Sequence, residues 1–458
     1  MLRAVLCPLL VLGALGCQSP EPPATPPVDL LEPSAGSLTG YYPVLIETGD
    51  VPAEAIVDVM VGGVRAIDLE AQPDGRLQVV LQGRDEPGAA RIDLFTEAGS
   101  TSLEQRFVYD PPLDPAFARV VAFGASLTQG VQDGTPTHDG VAASPALVLA
   151  RAMGAYMSQP VLIPDLFPTL GLDSVGPAPD CESASVPDFI RAAITEVLGE
   201  LVDPEEGFAY WVGRSDPDVN VRNLAAGNFM VDDMLFGPDV DEIVQNFLGP
   251  LSLDPYAEFA AGPRWTMIEA VERLEPTLVV SFDMMGNDIL SNTAIEDMQA
   301  NVPLMVARLA GTGAQVFLAD MPDPAILKGS LGDDPLDDEA SLLAAQSNAI
   351  LHEEAARFDN VHIVALAERA DEFALNGVQA GGEDLTVDML GGILSFDGLH
   401  FSPSGYAIVA DLFVQEINSE LGTSIPAIDI AAVVQGDMHV PSAVLAAGRD
   451  PMECRAEE

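Results

Sequence analysis

The sequence predicts an α/β fold, a parallel sheet covered by helices, preceded by a small all-β sandwich. Three observations predict it. From about Val28 to Asp110, short apolar runs alternate with Gly/Pro turns, the spacing of strands in a sandwich. From Arg119 to Leu421, apolar β-runs alternate with helical patterns, the signature of strands joined by covering helices. Pro111-Pro112 to Pro115 separates the two regimes.

In the first region the strands are Val44-Leu45-Ile46, Ile56 to Val61, Leu77 to Leu81, Ile92 to Phe95 and Phe107 to Tyr109. Gly62-Gly63, Pro73-Asp74-Gly75 and Pro87-Gly88 punctuate them. In the second, Arg119 to Phe123 is a strand ending in glycine and Pro145 to Met153 is a helix. Val219 to Leu224 is a strand, Trp265 to Leu274 a helix and Thr277 to Phe282 a strand. Ala294 to Leu309 is helical despite Pro303. Gln315 to Leu318 and Val361 to Ala365 are strands on either side of a helix at Glu339 to Ala355, and Ser404 to Leu421 is the last helix. Residues 165–216, rich in Pro, Gly and Asp, read as an insertion over the site, a lid or a surface loop. Residues 422–458 form a tail with no legible role.

The chain has 458 residues and a formal net charge of −52, with Lys328 its one lysine. Such a surface repels phosphate backbones, so nucleic acid is not an expected partner. Residues 1–16 read as a processing signal. Arg3 precedes an apolar run, Leu6 to Leu15, that is far short of the roughly 20 residues needed to span a bilayer. Ala14-Leu15-Gly16-Cys17 resembles a bacterial lipobox, which implies a lipoprotein signal peptide and a lipidated Cys17. The alternative is a secreted protein cut near the same place. Acyl chains contribute about 0.8 kcal/mol per buried methylene, so lipidation implies membrane association, in the bacterial cell envelope and at its outer membrane. Residues 17–27 read as an extended linker. Cys181 and Cys454 pair or stay free; their spacing does not decide it.

Four segments carry chemistry. Ser126 follows a predicted strand within Phe123-Gly124-Ala125-Ser126-Leu127-Thr128, where Thr128 and Gln129 begin a helix. A parallel sheet presents such a hydroxyl at the edge where ligands bind. Asp397 lies three residues before His400, and on a helical turn that spacing puts both side chains on one face, so that the acid orients the base. Asn287, in Met285-Gly286-Asn287-Asp288, follows another strand, and its amide is placed to donate to an oxyanion. Gly227 offers a backbone N–H that a substrate oxygen can approach closely. A hydroxyl, an imidazole, an acid and amide donors are the parts of a Ser-His-Asp hydrolase. His138 reads as a polar-loop residue, solvated or touching substrate, and His362 as a packed or edge strand residue. Asp333-Asp334 and Asp337-Asp338 lack the spacing of a calcium loop. The chemistry requires neither metal nor cofactor.

Together these segments resemble the SGNH/GDSL hydrolase family. Gly124-Ala125-Ser126-Leu127-Thr128 is similar to its nucleophile segment and Asn223 to Gly227 to its glycine segment. Gly286-Asn287-Asp288 is similar to its asparagine segment, and Asp397-Gly398-Leu399-His400-Phe401-Ser402-Pro403 to its closing segment. The resemblance covers residues 119–421. It implies a flavodoxin-like three-layer fold and a serine esterase or lipase of the bacterial GDSL type. Ser126 is then the nucleophile, His400 the base and Asp397 its orienter, and the Ser126 N–H, Gly227 and Asn287 form the oxyanion hole. The implied substrate is a small-molecule, lipid or glycan ester. Ala125 departs from the family, which usually has Asp there. That departure and the β-sandwich keep one alternative open, a surface binding protein with a degenerate hydrolase domain. A carbohydrate O-deacetylase is a second, because acetylated sugars suit the same centre. Residues 28–110 resemble the immunoglobulin-like IPT/TIG domain through Glu32-Pro33-Ser34-Ala35-Gly36 and Val61-Gly62-Gly63, which implies a binding module or a spacer.

Overall fold

The computed structural model describes residues 31–158, 170–176, 222–225, 229–236, 266–327 and 336–454. The predicted signal, the linker and Cys17 lie outside this set. So do Gly227, Cys181, the Asp333-Asp334 pair, nearly all of the 165–216 insertion and the side chains of His138, Asp337, Asp338 and Cys454.

The N-terminal region forms two sheets. One orders β1 (Leu31–Glu32), β3 (Tyr42–Ile46), β7 (Leu77–Leu81) and β6 (Ile67–Ala71). The other orders β2 (Ala35–Gly36), β9 (Gly99–Tyr109), β8 (Gly88–Thr96), β4 (Ile56–Val61) and β5 (Val64–Arg65). Pairing is antiparallel apart from β2 with β9. Val44, Ile46, Leu77, Val79 and Leu81 from the first sheet share one apolar cluster with Val59, Val61, Ile92, Leu94 and Phe107 from the second. Period-two alternation buries every second side chain of β7, which is what the sequence pattern requires of a strand with one face on a core. The sequence missed β1, β2, β5 and β6, which are two to five residues long or largely exposed and so carry little apolar signal.

The second region is a parallel sheet. β10 (Val120–Ala122), β11 (Leu278–Ser281), β12 (Gln315–Ala319) and β13 (Val361–Val364) lie side by side in that order, all parallel. On the outer side of β10, Ala122 forms a parallel bridge with Asn223. The expected strand Val219 to Leu224 is therefore represented among the described residues by this single bridge. Numbering these five stretches along the chain gives the spatial order 2-1-3-4-5.

Helices cover both faces, as the alternation of burial shows. Val121, Val279 and Val316 pack in one cluster with Met267, Ile268 and Val271 and with Met298, Val302, Met305, Val306 and Leu309. Val120, Ala122, Val280 and Phe317 pack in the other with Leu147, Leu149, Ala150, Val409, Phe413 and Ile417. Strands buried on both faces read as unbroken apolar runs, which is why Val-Val-Ala and Leu-Val-Val-Ser are legible as sheet interior.

Helix boundaries follow local chemistry. The predicted helix from Trp265 begins at Met267 because Thr266 and Glu269 form a reciprocal capping box. The helix Ile295–Gly311 runs through Pro303, and Leu336–Ala355 starts earlier than expected. The last predicted helix is Pro403–Leu421, capped by Ser402 Oγ, which accepts from the Gly405 N–H at 3.0 Å. The tail is structured: helices Ile430–Gly436 and Pro441–Ala446 fold back, and Val434 and Val440 join the second sheet cluster.

Candidate active site

Ser126 and Asn287 stand beyond the C-terminal ends of β10 and β11. These neighbours bracket the point where the strand order reverses, the place where open parallel sheets leave a ligand crevice. Ser126 opens a short helix, Ser126–Gln129, two residues earlier than the expected start at Thr128. Gly124 has φ +143°. A Cβ there would lie 2.6 Å from Asp283 Oδ1 and from Thr128 Oγ1, so the turn requires glycine twice over, for conformation and for space.

The reason for that crowding is Asp283, just past β11. Its Oδ1 accepts from the Ala125 N–H at 2.9 Å and from Thr128 Oγ1 at 2.6 Å, and its Oδ2 accepts from the Leu127 N–H at 2.6 Å. The Thr128 N–H reaches Oδ1 at 3.4 Å. The Ser126 amide stands between these donors and forms no hydrogen bond among the described residues. Asp283 thus consumes the amides on both sides and leaves the one that the resemblance assigns to an oxyanion. Burial raises the Asp283 carboxyl above its ordinary range, against the opposing pull of the Thr128 hydroxyl and the three amides. Sequence reading missed Asp283. The available signal was an acid set between Phe282 and Met284 in an apolar run, a position that demands buried partners.

His400 and Asp397 pair through Nδ1 and Oδ2 at 2.7 Å, both buried. The expected reason, a helical turn, is corrected. The segment is an acid-centred turn closed by an antiparallel bridge between Leu394 and Phe401, with the Ser395 N–H donating to the His400 carbonyl at 2.8 Å. Asp397 Oδ1 accepts from the Leu399 and His400 amides at 2.8 Å each, and Oδ2 also accepts from the Gly134 amide at 2.7 Å. Burial alone would raise the Asp397 carboxyl. The positive charge and ring N–H of His400, with these amides, outweigh it and hold the group down at about 2. An ionised Asp397 fixes the His400 proton on Nδ1 and leaves Nε2 to act as a base.

Asn287 donates through Nδ2 to the Phe229 carbonyl at 3.0 Å, which sets the amide's orientation and leaves its second N–H uncommitted to that bond. Next to it, Asp288 is buried and accepts from the Val231 amide at 2.9 Å. Burial pushes its carboxyl up to about 7, assisted by Asp233 and Asp232 and resisted by the Val231 bond.

Ser126, Asn287 and His400 line one cavity. It encloses about 940 Å³ of non-atom space, part of it open to solvent. Leu127, Ile289, Met321, Ile326, Phe373 and Leu399 supply much of the remaining wall, so the walls away from the polar groups are apolar. Of the other histidines, His138, expected in a loop, instead opens the short helix His138–Ala142, and His362 is on the edge strand β13, stacked on Phe317 and within 3.2 Å of Glu420. Gly227, the remaining expected donor, lies outside the described residues. No protein-family profile matches the chain, and no curated protein matches it.

Proposed function

We propose that the chain is a serine carboxylic-ester hydrolase of the SGNH/GDSL type with a flavodoxin-like core. The observation that carries this reading is that His400, held by Asp397 at 2.7 Å, lines the same cavity as Ser126, whose amide alone in the 125–128 turn is spared by Asp283. The strand order 2-1-3-4-5 supports the flavodoxin-like part.

In this mechanism His400 Nε2 takes the Ser126 hydroxyl proton as Oγ attacks the ester carbonyl. The Ser126 amide and Asn287 Nδ2 bear the charge that develops on the carbonyl oxygen, with Gly227 the proposed third donor. His400 then gives its proton to the leaving alcohol, and an acyl-enzyme remains. Water, deprotonated by His400, attacks the acyl carbon, and collapse of that intermediate returns the proton to Ser126 and frees the acid. The apolar wall favours a hydrophobic acyl or aryl ester over an acetylated glycan, whose hydroxyls would be left without partners there. We further propose an N-terminal IPT/TIG-like domain and attachment to a bacterial envelope membrane through Cys17.

The test is a fluorophosphonate probe with a series of aryl esters of increasing chain length. Labelling of the parent and none of Ser126→Ala supports the assignment, and labelling that persists in Ser126→Ala overturns it. Turnover that rises with chain length before falling supports the apolar acyl site.

A further inference from the structure

Outside the Ser126 cavity, a buried polar cluster centres on His439, between the two helices of the C-terminal segment. Its Nδ1 lies 2.8 Å from Asp437 Oδ1, and its Nε2 lies 3.1 Å from both oxygens of Asp133. Both ring nitrogens face carboxylate oxygens, so both must donate, and the ring is an imidazolium. The two acids sit on opposite sides of the ring and do not converge on a point.

Each acid also caps one end of the segment that bears the acid–base pair. Asp133 Oδ1 accepts from the Phe396 amide at 2.8 Å, one residue before Asp397. Asp437 Oδ2 accepts from the Ser404 amide at 2.9 Å, four residues after His400. The Phe396 ring lies against the His439 ring, with centroids 4.4 Å apart. The Asp133 turn reaches further. The Asp133 N–H donates to Ser395 Oγ at 3.1 Å, and that hydroxyl donates to Asp397 Oδ1 at 3.0 Å. Its neighbour Gly134 donates to the same Asp397 oxygen that holds His400. Tyr406, on the following helix, ties the loop in again through its hydroxyl on the Val131 carbonyl at 2.6 Å.

We propose that His439 is a positioning residue. As an imidazolium it bridges Asp133 and Asp437, clamps residues 396–404 at both ends, and so keeps Asp397 and His400 aligned only while it holds both protons. The charged and titratable groups around it are Asp133 and Asp437 in contact, Asp397 and His400 on the turn beyond Phe396, and Tyr406 on the next helix. Arg449, in the same segment, is engaged with the Val175 and Gly176 carbonyls. Burial pulls the ring's affinity for its proton down, but the bonds to Asp133 and Asp437 outweigh it and hold the group at about 9. The clamp therefore opens on the alkaline side.

Only the activity arm of the test rests on the hydrolase reading. In ¹⁵N-histidine-labelled full-length protein, one ring, identified by its loss in His439→Gln, is expected to show two protonated nitrogens at pH 7. Asp437→Asn keeps the shape and removes one charge, so the titration should move down by about one unit or more. A neutral ring at pH 7 overturns the proposal. In ester turnover, Asp437→Asn should move the alkaline limb of kcat down by the same shift with KM unchanged, and a limb that stays in place overturns the role. His439→Gln should lower kcat about tenfold or more and erase the downfield Nδ1–H resonance of His400. Retention of that resonance in a folded variant overturns the proposal, and if the variant does not fold, Asp437→Asn decides alone. A parent with the two-proton ring and no ester turnover would refute the hydrolase assignment and leave the clamp standing.

Discussion

The turn that carries Ser126 and the turn that carries His400 are held by different means. One buried carboxylate, Asp283, gathers the amides of Ala125, Leu127 and Thr128 directly. The other turn hangs on an ionic chain from Asp397 to the Asp133 turn, His439 and Asp437, and its partners are up to 306 residues apart in sequence. The first clamp holds no base and sits at the end of an adjacent strand. The second includes an imidazolium and depends on a segment beyond the last sheet helix. In the proposed reaction a nucleophile needs one fixed turn, whereas an acid–base pair needs two side chains held in register, and the longer network would serve the second.

The comparison breaks first at the reacting groups. Ser126→Ala and Asp397→Asn should each lower ester turnover by on the order of 10⁴-fold, read as kcat by initial rates with KM nearly unchanged. A small effect of Asp397→Asn would mean that the ionic chain orients nothing. Asn287→Ala should cost about 10²–10³-fold in kcat, the size expected for one oxyanion donor.

The pH dependence separates the two clamps. His439 is raised from 6.5 to about 9, so its contribution is fully present below 6.5 and is lost as pH rises through about 9. At 1.36 kcal/mol per unit this is on the order of 3 kcal/mol, measured by urea unfolding from pH 6 to 10. Over the same range, hydrogen exchange should speed at the Phe396 and Ser404 amides, while Ala125 and Leu127 stay protected. Asp397 has the opposite sign. It is depressed from 3.8 to about 2, so its contribution is present above 3.8 and lost as pH falls through about 2. The smallest effect is Asp283→Asn, which keeps the volume and one acceptor oxygen. It should destabilise by about 1–3 kcal/mol in urea, lowering kcat in step with loosened packing around Ser126.

Much of this was legible in the sequence. The apolar runs of β10 to β13 announce a sheet interior because both faces are buried, and Ser126, Asn287, Asp397 and His400 stand in recognisable segments. The supports were not legible. Asp283, Asp133 and His439 act through folding-dependent proximity, and nothing in a linear string pairs position 133 with 439. Ala125 illustrates the limit: the sequence marks a missing acid, and only the fold shows a carboxylate reaching the same turn from the neighbouring strand.

The junction between the two regions carries its own consequence. Tyr156 belongs to the second region yet packs in the core of the first. Thr39 Oγ1 donates to the Ala155 carbonyl at 2.5 Å, and the Arg151 guanidinium to the Tyr41 carbonyl at 3.0 Å. The β-rich region is therefore built into the larger one rather than strung before it. Calorimetry should record a single melting event, and any tether at the front of the chain would set how far the crevice stands from the surface that holds it.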